Sequence, residues 1–512
     1  MTSLTRRLAP ATVALVALFA AAVPGTAAAK GPKTDQFPQC EGAAHIEGLG
    51  STFQAPAEFL WTGESFPKDG FNVSTSKLAC SGTHKPTVRY NNSKEEFKGS
   101  GNCLKDMGSA GAPKIHEFPF CGTDEAPSKT VKEAMEASAG LSEKGEGIQT
   151  IPVLQGAVAV IVHLPKGCTA TSEPDLNKKV TKLGRLSLER SVIDGIYDGS
   201  PEYSTWKKAL SHNKTGNNKL TCSPEPTEAE EEITRVVRLD KSGTTHIFKA
   251  FLLQVSPGEF KMEKFGEINE KAAGKESVNP CGAVLPEENK TWQQVSEGCE
   301  NQRWPTGTKP VLRGIESGNP GVIKSVSETP SSIGYADMAV AREKGNFSDP
   351  AKEGGEGFEK FWVTISNSKE GSKKVEYQDP ATNGDEKELG NSNCVKTVYA
   401  AEVTEKFPPA STRDDWSKVK GLAAGKTYSI CGLTYVLAPR LYFPFLHHEV
   451  PATTEEEARK VATTVSNYIT WVLNEKTEGG GEEVEGHDYE PLPKKAQKVA
   501  EAGALEIGGL EA

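Results

Sequence analysis

Positive charge is in short supply in this chain: 59 Lys and Arg stand against 69 Asp and Glu over 512 residues, a formal net charge of −10. Proteins that grip nucleic acid do so with clustered Lys and Arg that neutralise phosphates, so the balance argues against a DNA or RNA partner. Long apolar runs are also scarce. Past the first 29 residues no stretch approaches the ~20 apolar residues that cross a bilayer. No repeat period is visible, which excludes a solenoid. There is no CxxC pair, and His447 and His448 in FLHHEVP have no second ligand pair at metal spacing, so no metal and no cofactor are expected. A GxSxG elbow for hydrolase chemistry is missing too. What the chain does have is 50 Gly and 32 Pro, which promise turns and long loops, in a background of 36% hydrophobic and 25% charged residues typical of a folded protein. Its length allows two or more domains at ~100–200 residues each.

Residues 1–29 carry Arg6 and Arg7, an apolar run from Leu8 to Val23 broken by Pro10, and small residues that end in Ala27 and Ala29. This is the three-part pattern of a secretory signal peptide cleaved before Lys30, and it implies an exported protein in the periplasm or outside the cell. The first cysteine is Cys40, too far from the apolar run to support a lipid anchor. All ten cysteines (Cys40, Cys80, Cys103, Cys121, Cys168, Cys222, Cys281, Cys299, Cys394 and Cys431) follow the leader. An even number in an exported chain favours disulfides over metal ligation. Cys103 with Cys121, Cys281 with Cys299, and Cys394 with Cys431 would each close a loop-rich segment, although spacing alone leaves the connectivity open.

Along the chain, GLGSTFQAPAEFLW (48–61) passes from a glycine turn into a helix start. The nearly continuous β-branched run IPVLQGAVAVIVHLP (151–165) reads as buried strand. Residues 186–197 read as helix, and 233–252 as a strand, a loop and a helix that begins at Ser242 or Gly243. SSIGYADMAVARE (331–343) reads as strand and helix, and YSICGLTYVLA (428–438) as strand. TTEEEARKVATTVSNYITWVL reads as an amphipathic helix capped by Thr453 and Thr454. The acidic TEAEEEI (227–233) is expected to be solvated, and GGGEEVEG near Gly479 to be a flexible loop. Polar, Gly-rich stretches at 279–316 and 343–426 look like insertions. Strands alternating with helices predict an α/β architecture.

Three segments place hydroxyl or glycine residues at a helix start: Ser51, Thr52 and Phe53; Gly99, Ser100 and Gly101; and Ser242, Gly243 and Thr244. Unpaired amides and the positive end of the helix dipole make such a start an oxyanion site. Arg238, four residues before Ser242, adds a planar fork suited to an oxyanion. Each segment alone is a weak signal, because Ser, Thr and Gly cap helices everywhere. The set is stronger. His246, just beyond SGTT, is expected to face solvent or pack locally.

In order along nearly the whole chain after the leader stand GLGSTFQAP, GSGNCLK, FCGTDEAPS, IPVLQGAVAVIVHLP, LSLERSVIDGIYDG with Trp206, VVRLDKSGTTHIF, GNPGVIKSVSETPSSIGYADMA, YSICGLTYVL and DYEPLP. This series resembles the periplasmic phosphate-binding proteins that feed ABC-type phosphate importers. Its most specific element is RLDKSGTT, similar to the family's Arg-x-Asp-x-Ser-Gly-Thr phosphate loop. The resemblance implies a two-lobed, type II periplasmic-binding-protein fold, each lobe a sheet flanked by helices. Lobe I would comprise 30–158 plus 335–512 and lobe II 159–334, the chain crossing near Val158 and returning near Gly334. It further implies that Ser51, Thr52 and Phe53, Ser100, and Ser242, Gly243 and Thr244 surround the anion, that Arg238 pairs with it and with Asp240, and that Asp124 accepts a proton from it. A second stretch, DMGSAGAPK, imitates the aspartate element but has Gly111 where the acid stands, so FCGTDEAP is the better match.

The implied chemistry is sound on its own terms. A buried carboxylate repels a bare oxyanion but accepts a hydrogen bond from one that keeps a proton; phosphate keeps one or two near neutral pH and sulfate keeps none. An unpaired buried acceptor costs about 1–3 kcal/mol, more when charged, which separates the two anions. The expected protein is therefore a monomeric solute-binding protein, not an enzyme, that takes up inorganic phosphate and passes it to a membrane permease. A secreted phosphate-ester hydrolase on the same cradle, and a surface module with a vestigial anion site, are the alternatives.

Overall fold

The computed structural model describes residues 44–508 apart from 65–69, 74–85, 112, 142–146, 177–178, 181, 266–283, 345–346, 348–356, 368–374, 382–391, 395–396, 401–405, 424–426, 476–478 and 485. The expected signal peptide, Cys40, Cys80, Cys281 and much of the stretch 343–426 lie outside the described residues. The fold is mixed α/β, as the alternation of patterns predicts, around one ten-stranded sheet. Its strands are β1 (Ile46–Gly50), β2 (Val88–Asn91), β3 (Phe120–Thr123), β4 (Ile148–His163), β5 (Thr234–Val237), β6 (Leu312–Arg313), β7 (Ser332–Asp337), β8 (Lys360–Trp362), β9 (Cys431–Pro439) and β10 (Tyr489–Glu490). They run in the order β6-β5-β7-β4-β9-β3-β1-β2, with β8 and β10 also paired to β4.

The β-branched run that reads as buried strand is one 16-residue strand, β4, buried at every position. Because all its side chains are apolar or enclosed on both faces, it can serve as the spine of the sheet. It changes partners along its length. Ile148–Ala157 pairs with β9, and Val158–His163 pairs with β7, both antiparallel. The first set of neighbours contains β1, β2 and β3, which run parallel to one another; the second contains β5, β6 and β7, also parallel. The sheets of the two halves are thus joined through β4 into one hydrogen-bonded path. Residues 360–366 pair with the second half of β4 and with Ser187–Leu188.

The helices that matter for the site are α1 (Ala55–Thr62), α2 (Ser100–Leu104), α3 (Arg190–Tyr197), α4 (Gly243–Val255), α5 (Asn319–Glu328) and α6 (Glu455–Val472). α6 opens with the capping box of Thr454 and Glu457 and buries Ala458, Ala462, Val465 and Ile469, which meets its amphipathic pattern. α3 is shorter than the helix expected over 186–197: Ser187 and Leu188 form a strand, because their backbones pair with Thr364 and Ile365 from a distant part of the chain. GGGEEVEG is not simply a loop, since Gly480–Glu483 makes a helical turn whose Gly480 carbonyl accepts from the buried Trp61 indole. The turn Glu228–Glu231 of the acidic run is exposed, as expected.

Of the sequence-suggested cysteine pairs, Cys103–Cys121 and Cys394–Cys431 are formed, Cys281–Cys299 falls outside the described residues, and Cys168–Cys222 is a further bridge. The segment 284–316 is built into the core: Trp292 and Trp304 are fully buried, and Trp304 packs on Phe248 of α4. No helix among the described residues is long and apolar enough to cross a membrane.

Candidate functional site

Strands β1, β3 and β5 end at Gly50, Thr123 and Val237, and the residues immediately beyond them are Ser51, Asp124 and Arg238. In open α/β sheets, ligands bind beyond the carboxyl ends of strands where the connections diverge. Here those three ends, together with the heads of α2, α4 and α5, converge on one buried polar cluster. All ten residues singled out in the sequence belong to it or border it.

Asp124 is its centre. It is 4% exposed, and its carboxylate accepts from Ser51 Oγ at 2.5 Å, Thr434 Oγ1 at 2.9 Å and Ser100 Oγ at 3.3 Å. Its own N–H donates to Ser100 Oγ at 3.1 Å, which seats the head of α2 against the end of β3. The Cys103–Cys121 disulfide ties the same two elements together one turn away. Burial pushes the Asp124 carboxyl up to about 6, while the Ser51 and Thr434 hydroxyls, the Arg238 charge and the Ser100 hydroxyl hold it from rising further. Three hydroxyl donors on a carboxylate with about four acceptor positions leave room for one more proton.

Ser51 Oγ also accepts from the backbone N–H of Phe53 at 3.0 Å and of Gln54 at 3.1 Å. The Phe53 amide, which the resemblance offers to an anion, is therefore directed at Ser51. Phe53 itself is fully buried and its carbonyl accepts from Tyr489 Oη at 2.6 Å, so the turn into α1 is held from both sides. Thr52 Oγ1 accepts from the Asn319 N–H at 3.0 Å and keeps its own hydroxyl proton.

Across from these groups, Arg238 is 2% exposed and its fork grips Asp240, Nε to Oδ1 at 2.9 Å and Nη2 to Oδ2 at 2.5 Å. The remaining Nη1 reaches Thr244 Oγ1 at 3.3 Å and Asn319 Oδ1 at 3.4 Å. Pairing with Asp240 neutralises most of the guanidinium charge and fixes its plane, leaving one edge for a ligand. Ser242 caps α4 by accepting from the Thr245 N–H at 3.2 Å, and its own backbone is clamped by the Asn301 amide, which accepts from its N–H at 3.0 Å and donates to its carbonyl at 3.1 Å. The His246 N–H goes to the Ser242 carbonyl. The amides of Gly243 and Thr244 are thus left at the positive end of a 13-residue helix. His246 is buried and packs locally on the Ser296 carbonyl.

Gly243 is required by contact and not by its backbone angle. A Cβ there would stand 2.5 Å from Ser100 Oγ and 2.6 Å from Asp124 Cβ, so the head of α4 lies directly against the Asp124 side of the cluster. Lys241 pairs with Glu125 at 3.2 Å and Lys98 with Glu316 at 3.6 Å around the same seam. The cluster sets the Asp124 carboxylate amid hydroxyl, amide and guanidinium donors, with Asp240 taken up by Arg238 and Glu125 by Lys241.

Three participants escaped the sequence. Thr434 sits inside the apolar strand β9 and gave no signal. Asn301 lies in a stretch that looked like an insertion. Asn319 stands in GNPG, a small-residue helix start that could have been flagged by its Gly-Asn-Pro order.

Sequence comparison gives one relative. The chain is similar to a phosphate-binding protein. The phosphate-binding protein PstS of Methanocaldococcus jannaschii is 23% identical over 349 residues, 68% of this chain and 64% of that relative's length. No family model matches. Among solved structures, a phosphate-binding protein from Stenotrophomonas maltophilia covers 90% of this chain and 93% of its own at 13% identity and a TM-score of 0.48. A periplasmic phosphate-binding protein named PfluDING, solved with phosphate, has the same coverage and TM-score at 15% identity.

Proposed function

We propose that this protein is an exported solute-binding protein that captures inorganic phosphate in the cluster around Asp124 and Arg238 and delivers it to the permease of an ABC-type importer. The observation that carries the reading is the buried Asp124 carboxylate, which no cation among the described residues pairs, placed among anion donors. Donors alone would suit any oxyanion; an acceptor that tolerates one more proton selects an anion that still carries one. The likeness to PstS supports the same reading.

Thr52, Ser100 and Asp124 form one wall, and Arg238, Ser242, Gly243 and Thr244 the other, held on the two sets of parallel strands that β4 joins. Binding then works by closure of two lobes, with 30–158 and most of 335–512 on one side and 159–334 on the other, and with β4, β7 and β9 as the crossing strands. The Lys241–Glu125 and Lys98–Glu316 pairs span the seam and favour the closed form. The protein acts as a monomer without a cofactor and is not an enzyme. The leader ending at Ala29 directs export.

The test is calorimetric titration of the mature protein with phosphate and with sulfate. Tight phosphate binding that Arg238→Ala weakens at least ~30-fold, with sulfate bound far more weakly, is expected, since a buried charge-assisted pair is worth about 2–5 kcal/mol when one partner is removed. Equal affinity for the two anions, or none for phosphate, defeats the assignment.

A further inference from the structure

Asn319 is fully enclosed, and its Nδ2 has no hydrogen-bond partner among the described residues. Buried side-chain donors are rarely left unpaired, because the group has given up water and received nothing in exchange. The orientation of the amide follows from its neighbour. Oδ1 lies 3.4 Å from Arg238 Nη1, and turning the amide over would set its NH2 against a guanidinium that has no lone pair to offer. The backbone of the same residue is engaged with the opposite wall, its N–H donating to Thr52 Oγ1 at 3.0 Å. Asn319 opens the ten-residue helix α5, whose preceding Gly318, at φ 89°, donates its N–H to Asp240 Oδ1 at 2.9 Å. One residue thus meets Arg238 through its side chain and Thr52 through its backbone, and keeps a spare donor.

We propose that Asn319 is an additional ligand-binding and specificity-determining residue, whose Nδ2 donates a hydrogen bond to an unprotonated oxygen of the bound tetrahedral oxyanion. The proposal rests on the phosphate reading and deepens it. A carboxamide NH2 can only donate, so it cannot receive a P–OH. Placed beside Arg238 and Thr52, it reserves that side of the site for bare oxygens and leaves the ligand's proton to Asp124. Orientation of the anion, and not only its affinity, would then depend on Asn319. A neutral donor also strengthens the site without adding positive charge that would welcome sulfate equally.

Two measurements on the mature protein test this. In titrations with phosphate, Asn319→Ala should lose about 10- to 100-fold in affinity, the range for a hydrogen bond to a charged group. In a crystal structure of the wild type with phosphate, Nδ2 should lie within about 3.2 Å of a phosphate oxygen. Unchanged affinity in Asn319→Ala, or a bound structure in which Nδ2 is more than about 3.5 Å from every phosphate oxygen, overturns the role of Asn319 while leaving the phosphate reading intact. Failure of the wild type to bind phosphate overturns both. If the variant does not fold, the wild-type complex alone decides.

Discussion

Replacing Asp124 by Asn changes one atom at the centre of the site and carries two consequences of opposite sign. The first concerns stability. Burial raises the Asp124 carboxyl from an ordinary 3.8 to about 6. A group whose pKa is raised on folding binds more protons in the folded state between those two values, so its contribution favours folding at low pH and is lost as pH climbs from 3.8 to about 6. At pH 7 the ionised carboxylate therefore costs the empty protein ~3 kcal/mol, at about 1.4 kcal/mol per pKa unit. Asn removes that cost, and the three hydroxyls of Ser51, Ser100 and Thr434 can rotate to suit an amide. The second consequence concerns selectivity. With the carboxylate gone, sulfate no longer meets a charged acceptor, and a difference of about 3 kcal/mol corresponds to a fall of ~150-fold in the phosphate-to-sulfate affinity ratio. Calorimetry with both anions at pH 7.5 and thermal melts of the ligand-free protein read the two effects separately. Asp124→Asn should melt several degrees higher and discriminate far less. In the wild type, sulfate binding should also rise as pH falls through about 6, where the carboxyl gains its own proton. A variant with unchanged discrimination and no gain in stability would refute the role given to Asp124.

Gly243→Ala places a methyl against Ser100 and Asp124 and should weaken phosphate binding about 5- to 150-fold, the range for a strained contact of 1–3 kcal/mol, as titration would read. Removing the Cys103–Cys121 bridge by a double Ser substitution opens a loop with a sequence separation of 18. Stability measured by urea unfolding should fall by about 2–4 kcal/mol, and affinity should fall with it because Ser100 and Asp124 lose their tie. Glu58 is buried, bonded by Gln54 and Tyr468, and pushed up by burial to about 8. Its contribution to stability is full below an ordinary 4.5 and declines as pH rises toward 8, so Glu58→Gln should flatten the decline between pH 5 and 8 seen in chemical denaturation.

Much of this arrangement was legible in the order of residues. β4 announces itself because a strand buried on both faces needs an unbroken β-branched run, and α6 because a capping box followed by a 3.6-residue apolar period has few other solutions. The head of α4 was readable from Ser-Gly-Thr, since a helix start must satisfy its orphan amides with small polar residues. The short pairing of Ser187 and Leu188 was not readable, because its partner strand is nearly two hundred residues away and local pattern favoured a helix. Nor was the helical turn at Gly480–Glu483, where glycine usually signals a loop but here allows close packing on Val472.

By itself, then, the sequence determined the kinds of group available: hydroxyls and amides at helix starts, one arginine with its aspartate, and one candidate acid in Gly-Thr-Asp. These are local properties, set by what each residue can donate, accept or fit over a few positions of chain. Only the tertiary structure decided that the acid is shared by Ser51, Ser100 and Thr434, that Arg238 spends most of its fork on Asp240, and that Asn301 and Asn319 close the ring. Burial, desolvation and the exchange of a single hydroxyl proton between neighbours depend on contacts between residues hundreds of positions apart, and those contacts are made by the sheet that β4 threads.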